Sequence, residues 1–233
     1  MTLTDDPIAG LPIAFDLDGT LVDTAPDLVR ALNASVKPCG LSEVRVDDVR
    51  AMVGRGARAL IERTFARQNV EAGQPEIDDC LTRFLEVYRD QIAVDSRPFA
   101  HVEAVLDRLA TRGARLSVCT NKPQTLAQAL LDQLKMSDRF EGIVGTDSGI
   151  AKKPDPAHLF AAFGGTPALG VLVGDSEPDA LAARAAGAIC LLFEGGYSEK
   201  PVRTLGADRL FKQYDEFETV LTEAVSARLS AKA

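Results

Sequence analysis

Short apolar runs that end in polar clusters, separated by segments of helical period, constrain this chain more than any other feature. Pro12-Ile13-Ala14-Phe15 runs into Asp16-Leu17-Asp18-Gly19-Thr20, and comparable runs recur at 115–119, 140–144, 169–173, 189–193 and 209–211. Each is brief and bounded by turn residues, as a strand buried on both faces would be. Between them, Val102, Val105, Leu106 and Leu109 follow i, i+3, i+4, i+7 spacing, and Gly113 is placed as a helix stop. Leu126, Leu130, Leu131 and Leu134 repeat the pattern, with Pro123 near the start. An alanine-rich segment, 177–186, closes at Gly187. Strands alternating with helices predict an α/β fold in three layers, a parallel sheet covered on both faces.

The stretch 24–94 breaks that alternation and carries no convincing strand. Leu28, Leu32 and Val36 share one helix face, and Leu60, Ile61, Thr64 and Phe65 share another. Ile77, Leu81, Phe84, Leu85, Tyr88 and Ile92 form a long stripe at helical spacing. Such stripes are the ordinary signal of packed helices and are assigned to core, not to a ligand groove. The stretch reads as an inserted helical domain with break points near 22–23 and 95–98.

Composition narrows the class of partner. The chain has 233 residues, enough for one large domain or one domain with an insertion. With 26 Lys and Arg against 34 Asp and Glu, the formal charge is −8, and no long basic run occurs. That balance argues against nucleic acid or an anionic membrane as partner. Cys39, Cys80, Cys119 and Cys190 are too widely spaced for a zinc pattern or a CxxC motif. Cys119 and Cys190 lie in apolar runs and read as small buried hydrophobes. The polar start, Met1-Thr2-Leu3-Thr4-Asp5-Asp6-Pro7, does not read as a signal peptide. The uncharged stretch 157–174 is broken by Gly164-Gly165-Thr166-Pro167, whereas a spanning helix needs about 20 apolar residues. A cytoplasmic monomer or homodimer is expected.

In a parallel α/β sheet, ligands bind outside the carboxyl ends of the strands. The first strand delivers Asp16 and Asp18 there, and the second delivers Thr120-Asn121-Lys122. Beyond the third lies Lys152-Lys153-Pro154, and the fourth ends in Gly174-Asp175-Ser176-Glu177-Pro178-Asp179. Crowded carboxylates repel unless a cation or proton relieves them. Oxygen-rich sites with few carboxylates suit Mg²⁺, which completes its shell with water and phosphate. A Lys and a Thr add the charge and the donor that a phosphoryl group needs. The set reads as Mg²⁺-assisted phosphoryl transfer, with Asp16 as nucleophile and Asp18 as general acid and then base. Gly19 permits the turn that points both carboxylates inward.

These segments resemble the four motifs of the haloacid dehalogenase-like hydrolase superfamily, and the resemblance covers essentially the whole chain. Asp16-Leu17-Asp18-Gly19-Thr20-Leu21-Val22-Asp23-Thr24 matches the first motif of its phosphatase branch. Thr120 fits the second motif, Lys153 the third, and Asp175 with Asp179 the fourth. The resemblance implies a Rossmann-like core, here 1–22 and 95–233, and an inserted helical cap domain, 23–94. It further implies Mg²⁺ held by the carboxylates of Asp16 and Asp175 and the backbone carbonyl of Asp18. Asp16 would form an aspartyl-phosphate; Thr120, Asn121 and Lys153 would bind phosphate; Asp179 would orient a metal water or Lys153. Lys153 is chosen over Lys152 because the family's lysine directly precedes the proline. Asp18 argues against the dehalogenase and phosphonatase branches, which lack it.

Within the superfamily, the segments 53–63 and 118–123 are similar to those of bacterial phosphoglycolate phosphatases. That implies a small phosphate monoester as partner, 2-phosphoglycolate foremost. Arg55, between two glycines, is a candidate for the substrate carboxylate, and a solvated loop arginine is the competing reading. Where relatives run Pro-Tyr-Pro-Gly-Val, this chain has Pro98-Phe99-Ala100-His101-Val102, with His101 expected at a helix start or on the surface. His158 is expected in a helix with no partner. Competing functions are a phosphosugar mutase or pyrophosphatase on the same core, and a receiver-type phospho-switch, which would be far shorter and would lack Asp18.

Overall fold

A computed structural model describes residues 6–50, 52–54 and 56–231. Six parallel strands form the central sheet: β1 (Pro12–Phe15), β4 (Arg115–Cys119), β5 (Gly142–Val144), β6 (Val171–Gly174), β7 (Ile189–Phe193) and β8 (Arg209–Phe211). Their order is β5-β4-β1-β6-β7-β8. β1 pairs with β4 on one side (Pro12 opposite Arg115) and with β6 on the other (Ile13 opposite Val171). The chain thus winds outward from β1 in both directions, which opens a crevice at the carboxyl end of β1.

The period of two along each strand sorts the core into two layers. Ile13, Phe15, Leu116, Val118, Val171, Val173, Ile189 and Leu191 face one way. There they pack under α5 (Val102–Thr111), α6 (Gln124–Gln133) and α9 (Phe217–Ser230). Ala14, Cys119, Leu172, Cys190 and Leu192 face the other way. There α7 (Pro156–Phe163) and the alanine-rich α8 (Glu177–Ala186) lie against a layer in which Ala14, Cys119 and Cys190 are interspersed with Leu172 and Leu192. Burial pushes the Cys119 thiol up to about 12, so it behaves as the small hydrophobe that its apolar run implies. The three-layer α/β architecture expected from the alternation is the one observed.

A two-stranded antiparallel ribbon marks where the chain leaves and re-enters this core. β2 (Val22–Asp23) and β3 (Arg97–Pro98) pair Val22 with Pro98 and Asp23 with Arg97. At two residues each, these strands are too short to leave a periodic signal. Between them run α1 (Ala25–Val36), α2 (Val46–Arg50), α3 (Ala57–Arg67) and α4 (Gln74–Asp90). Leu28, Leu32 and Val36 of α1 are buried, as are Ile77, Phe84 and Tyr88 of α4. Leu81 and Leu85 are only partly covered, and Ile92, although buried, falls beyond the end of α4. No helix of the described residues is long and apolar enough to cross a membrane.

Candidate active site

The loop after β1 is held by its backbone before any chemistry is considered. The Asp16 N–H donates to the Val173 carbonyl at 2.8 Å, extending the β1–β6 pairing by one residue. Leu17 is fully buried, and its N–H donates to Asp16 Oδ1 at 2.7 Å. Gly19 adopts φ +83°, and a Cβ there would stand 2.6 Å from Asp175 Oδ2 and 2.7 Å from the Tyr197 ring. Only glycine fits both that conformation and that approach.

Four strand ends contribute to one buried cluster. Lys153 Nζ lies 3.0 Å from Asp16 Oδ1 and 2.6 Å from Asp179 Oδ1. The other Asp179 oxygen accepts from the Ser176 hydroxyl at 2.6 Å and the Ser176 N–H at 3.1 Å. Asp175 accepts from the Thr20 hydroxyl at 2.8 Å and the Tyr197 N–H at 2.6 Å. Oxygens of Asp16, Asp175 and Asp179 all lie within 4.8 Å of one another. Lys152, by contrast, is exposed.

Three carboxylates and one ammonium leave this buried cluster with excess negative charge. Burial, opposed by Lys153 and reinforced by Asp179 and Asp18, pushes the Asp16 carboxyl up to about 6. Burial, with Asp179 and Asp16 beside it, holds Asp175 well above the usual carboxylate range. Burial alone would lower Lys153, but the charges of Asp16 and Asp179 raise it above an ordinary lysine. An all-oxygen donor set that is strained in its ionised form fits a hard divalent cation such as Mg²⁺.

A second ion pair stands beside the first. Lys122 Nζ contacts both Asp18 oxygens, at 2.9 and 3.0 Å, and lies 4.5 Å from the centre of the Tyr88 ring. Asp18 Oδ1 also accepts from the Thr24 hydroxyl at 2.7 Å. Burial would lower the Lys122 ammonium, but Asp18 raises it. The sequence places Lys122 at the rim after the second strand but assigns it no role. The available signal was a cation two residues past Thr120, which alone does not say which carboxylate it meets.

The remaining candidates sort by what their side chains touch. Thr120 is buried, and its hydroxyl accepts from the Lys122 N–H at 3.2 Å. Asn121 Nδ2 donates to the carbonyls of Gly54 and Lys153, at 3.2 and 3.1 Å, so its side chain ties the helical insert to the Lys153 loop. His158 is buried, and its Nε2 lies 3.0 Å from the Thr120 carbonyl; the expectation of no partner is therefore corrected. Burial lowers its pKa, so its ring packs there as a neutral group. His101 is exposed at the start of α5, with φ +68°. Arg55 lies outside the described residues.

Asp16, Asp18, Thr120 and Lys122 open onto a cleft of about 580 Å³, counting its mouth, walled on the far side by Leu60 and Phe84 of the insert. A polar floor at the strand ends beneath an apolar roof can hold a compact anion and shield it from water.

Comparison with known proteins agrees with this geometry. The family profile described as haloacid dehalogenase-like hydrolase matches residues 13–193. The phosphoglycolate phosphatase of Caulobacter vibrioides is 49% identical over 208 residues, 88% of this chain and 88% of that protein. The phosphoglycolate phosphatase of Agrobacterium fabrum is 39% identical over 233 residues, 99% of this chain and 98% of that one. A crystal structure of a predicted phosphoglycolate phosphatase from Haemophilus somnus superposes with a TM-score of 0.84 at 29% identity, covering 92% of this chain and 98% of that one. The matched span begins inside β1 and ends with β7, so it takes in the strands that deliver the acidic cluster together with the helical insert. The chain belongs to the haloacid dehalogenase-like hydrolases.

Proposed function

We propose that this chain is a phosphatase that hydrolyses a small phosphate monoester, 2-phosphoglycolate, through an aspartyl-phosphate. The observation that carries the reading is a pair of adjacent ion pairs, buried for Asp16 with Lys153 and part-buried for Asp18 with Lys122, at the carboxyl end of β1. The substrate rests on the names of the relatives.

Asp16 attacks phosphorus, forming a carboxyl O–P bond as the ester O–P bond breaks. Asp18 gives a proton to the departing alkoxide and then takes one from the water that hydrolyses the acyl phosphate. Lys153 and the Thr120 hydroxyl hold phosphoryl oxygens; the Asn121 side chain, committed to two carbonyls, positions the loops around them. Asp179 holds Lys153 in place. The carboxylates of Asp16 and Asp175, with the Asp18 carbonyl, would hold Mg²⁺, which when bound neutralises charge on the phosphoryl group. Helices of 23–94 act as a cap on a core of 1–22 and 95–233, and Arg55 is the candidate for recognising the substrate carboxylate. The four free cysteines suit a reducing cytoplasm.

The test is phosphate release from 2-phosphoglycolate with Mg²⁺, with Asp16→Asn in parallel. Release that falls at least about 10³-fold in a folded Asp16→Asn protein supports chemistry and substrate together. Turnover of p-nitrophenyl phosphate alone would retain the chemistry and discard the substrate.

A further inference from the structure

Two of the four cysteines lie in the helical insert, outside the acidic cluster. Cys39 sits in the turn that follows α1, and Cys80 lies on α4. The packing of α1 against α4 brings their sulfurs, 41 residues apart in the chain, to 3.4 Å. Both are free thiols; Cys80 is fully buried and Cys39 half-buried. Arg83, one turn beyond Cys80, places Nη2 at 3.3 Å from the Cys80 sulfur and 3.7 Å from the Cys39 sulfur. Its Nε donates to the Ser35 carbonyl at 3.1 Å, which fixes the guanidinium against both sulfurs. Burial and the neighbouring Cys39 push the Cys80 thiol up, and the Arg83 guanidinium opposes them by favouring the thiolate, the form that reacts. Cys119 and Cys190 lie in the sheet, on β4 and β7, where burial pushes both thiols up and no guanidinium contact to either sulfur is seen among the described residues.

We propose that Cys39 and Cys80 form a reversible dithiol–disulfide pair that takes a hydroperoxide as oxidant and staples α1 to α4. The half-buried Cys39 is the sulfur that meets the oxidant. Its thiolate attacks a peroxide oxygen, the O–O bond breaks, and the leaving oxygen departs as alcohol or water, taking a proton. Cys39 is then a sulfenic acid. The Cys80 sulfur attacks it, the S–S bond forms, and the sulfenic oxygen leaves as water with the Cys80 proton. Two thiols have lost two electrons, and one hydroperoxide has gained them. Closing the bond needs the sulfurs to approach from contact to about 2.05 Å. A bridge across a loop of this length restricts the unfolded chain and raises Tm by about 5–10 °C.

The test uses the reduced full-length protein with a small molar excess of hydrogen peroxide, then alkylation and digestion without reductant. The expected product is a peptide linked through Cys39 and Cys80, with the rise in Tm, both reversed by dithiothreitol. Cys39→Ser abolishes the rise. Arg83→Ala slows linkage several-fold, and Arg83→Lys restores most of the rate. Three results would overturn the proposal. One is that both thiols stay open to alkylation while glutathione in the same tube is oxidised. Another is over-oxidation of Cys39 with no linked peptide. The third is a bridge that uses Cys119 or Cys190.

Discussion

Removing the Lys122 ammonium would leave the Asp18 carboxylate, whose side chain is 14% exposed, with the Thr24 hydroxyl as its remaining partner shown here. A carboxylate that must both give and take a proton depends on a fixed position more than on substrate affinity. Lys122→Met is therefore expected to lower kcat by about 10–100-fold while KM for p-nitrophenyl phosphate moves less than about threefold. Lys122→Arg, which keeps the charge but not the reach, recovers part of the loss. Steady-state kinetics on the three proteins measure the split. A Lys122→Met enzyme with full kcat would reduce the pair to packing. At this scale the two carboxylates and Thr120 were legible because they follow readable strands, while Lys153, well beyond β5, was singled out by the resemblance to the family's lysine before proline. The role of Lys122 was not legible, since its partner lies 104 residues away in the chain.

At the scale of elements, the join between insert and core turns on a buried carboxylate. Asp27 of α1 accepts from the Asp95 N–H at 3.1 Å, the Ser96 N–H at 2.8 Å and the Ser96 hydroxyl at 2.6 Å, just ahead of β3. Tyr197, from the loop after β7, accepts from the Ala25 N–H at 3.0 Å and donates to Asp23. Both ends of the insert are thus pinned by side chains that no periodicity reveals. Burial would raise the Asp27 carboxyl, but the Ser96 and Asp95 donors and Arg30 hold it below its usual value. A lowered folded value means that its contribution is present above the ordinary carboxylate pKa and is lost as pH falls through the lowered one. Asp27→Ala is expected to cost about 2–4 kcal/mol near neutral pH, with the gap to wild type narrowing below about pH 4. Thermal melts of both proteins near pH 7 and near pH 3 check this. A gap that is unchanged at the lower pH would count against the ionic account.

For the whole molecule, the raised carboxyls of Asp16 and Asp175 tie stability to pH and would couple it to a divalent cation bound there. A folded value above the unfolded one means that ionisation costs stability as pH rises from the ordinary carboxylate range through about 6 for Asp16, and that the cost is complete above it. A cation that binds only the ionised cluster offsets that cost. Mg²⁺ is expected to raise Tm more at about pH 7.5 than at about pH 5, with chelation reversing the rise and Asp16→Asn blunting the difference. Equal shifts at both pH values in differential scanning fluorimetry would sink this coupling. By itself the sequence determined the layered α/β class, the helical character of the insert and the strand ends that carry Asp16, Thr120 and Asp175. Those follow from periods of 2 and 3.6 and from polar residues placed where a buried strand stops. Tertiary structure alone decided that Lys122 meets Asp18, that Asn121 spends its amide on Gly54 and Lys153, and that Cys39 touches Cys80. The physical reason is that local pattern says which face of an element is buried, while the partner across it depends on sheet order and on how helices cross.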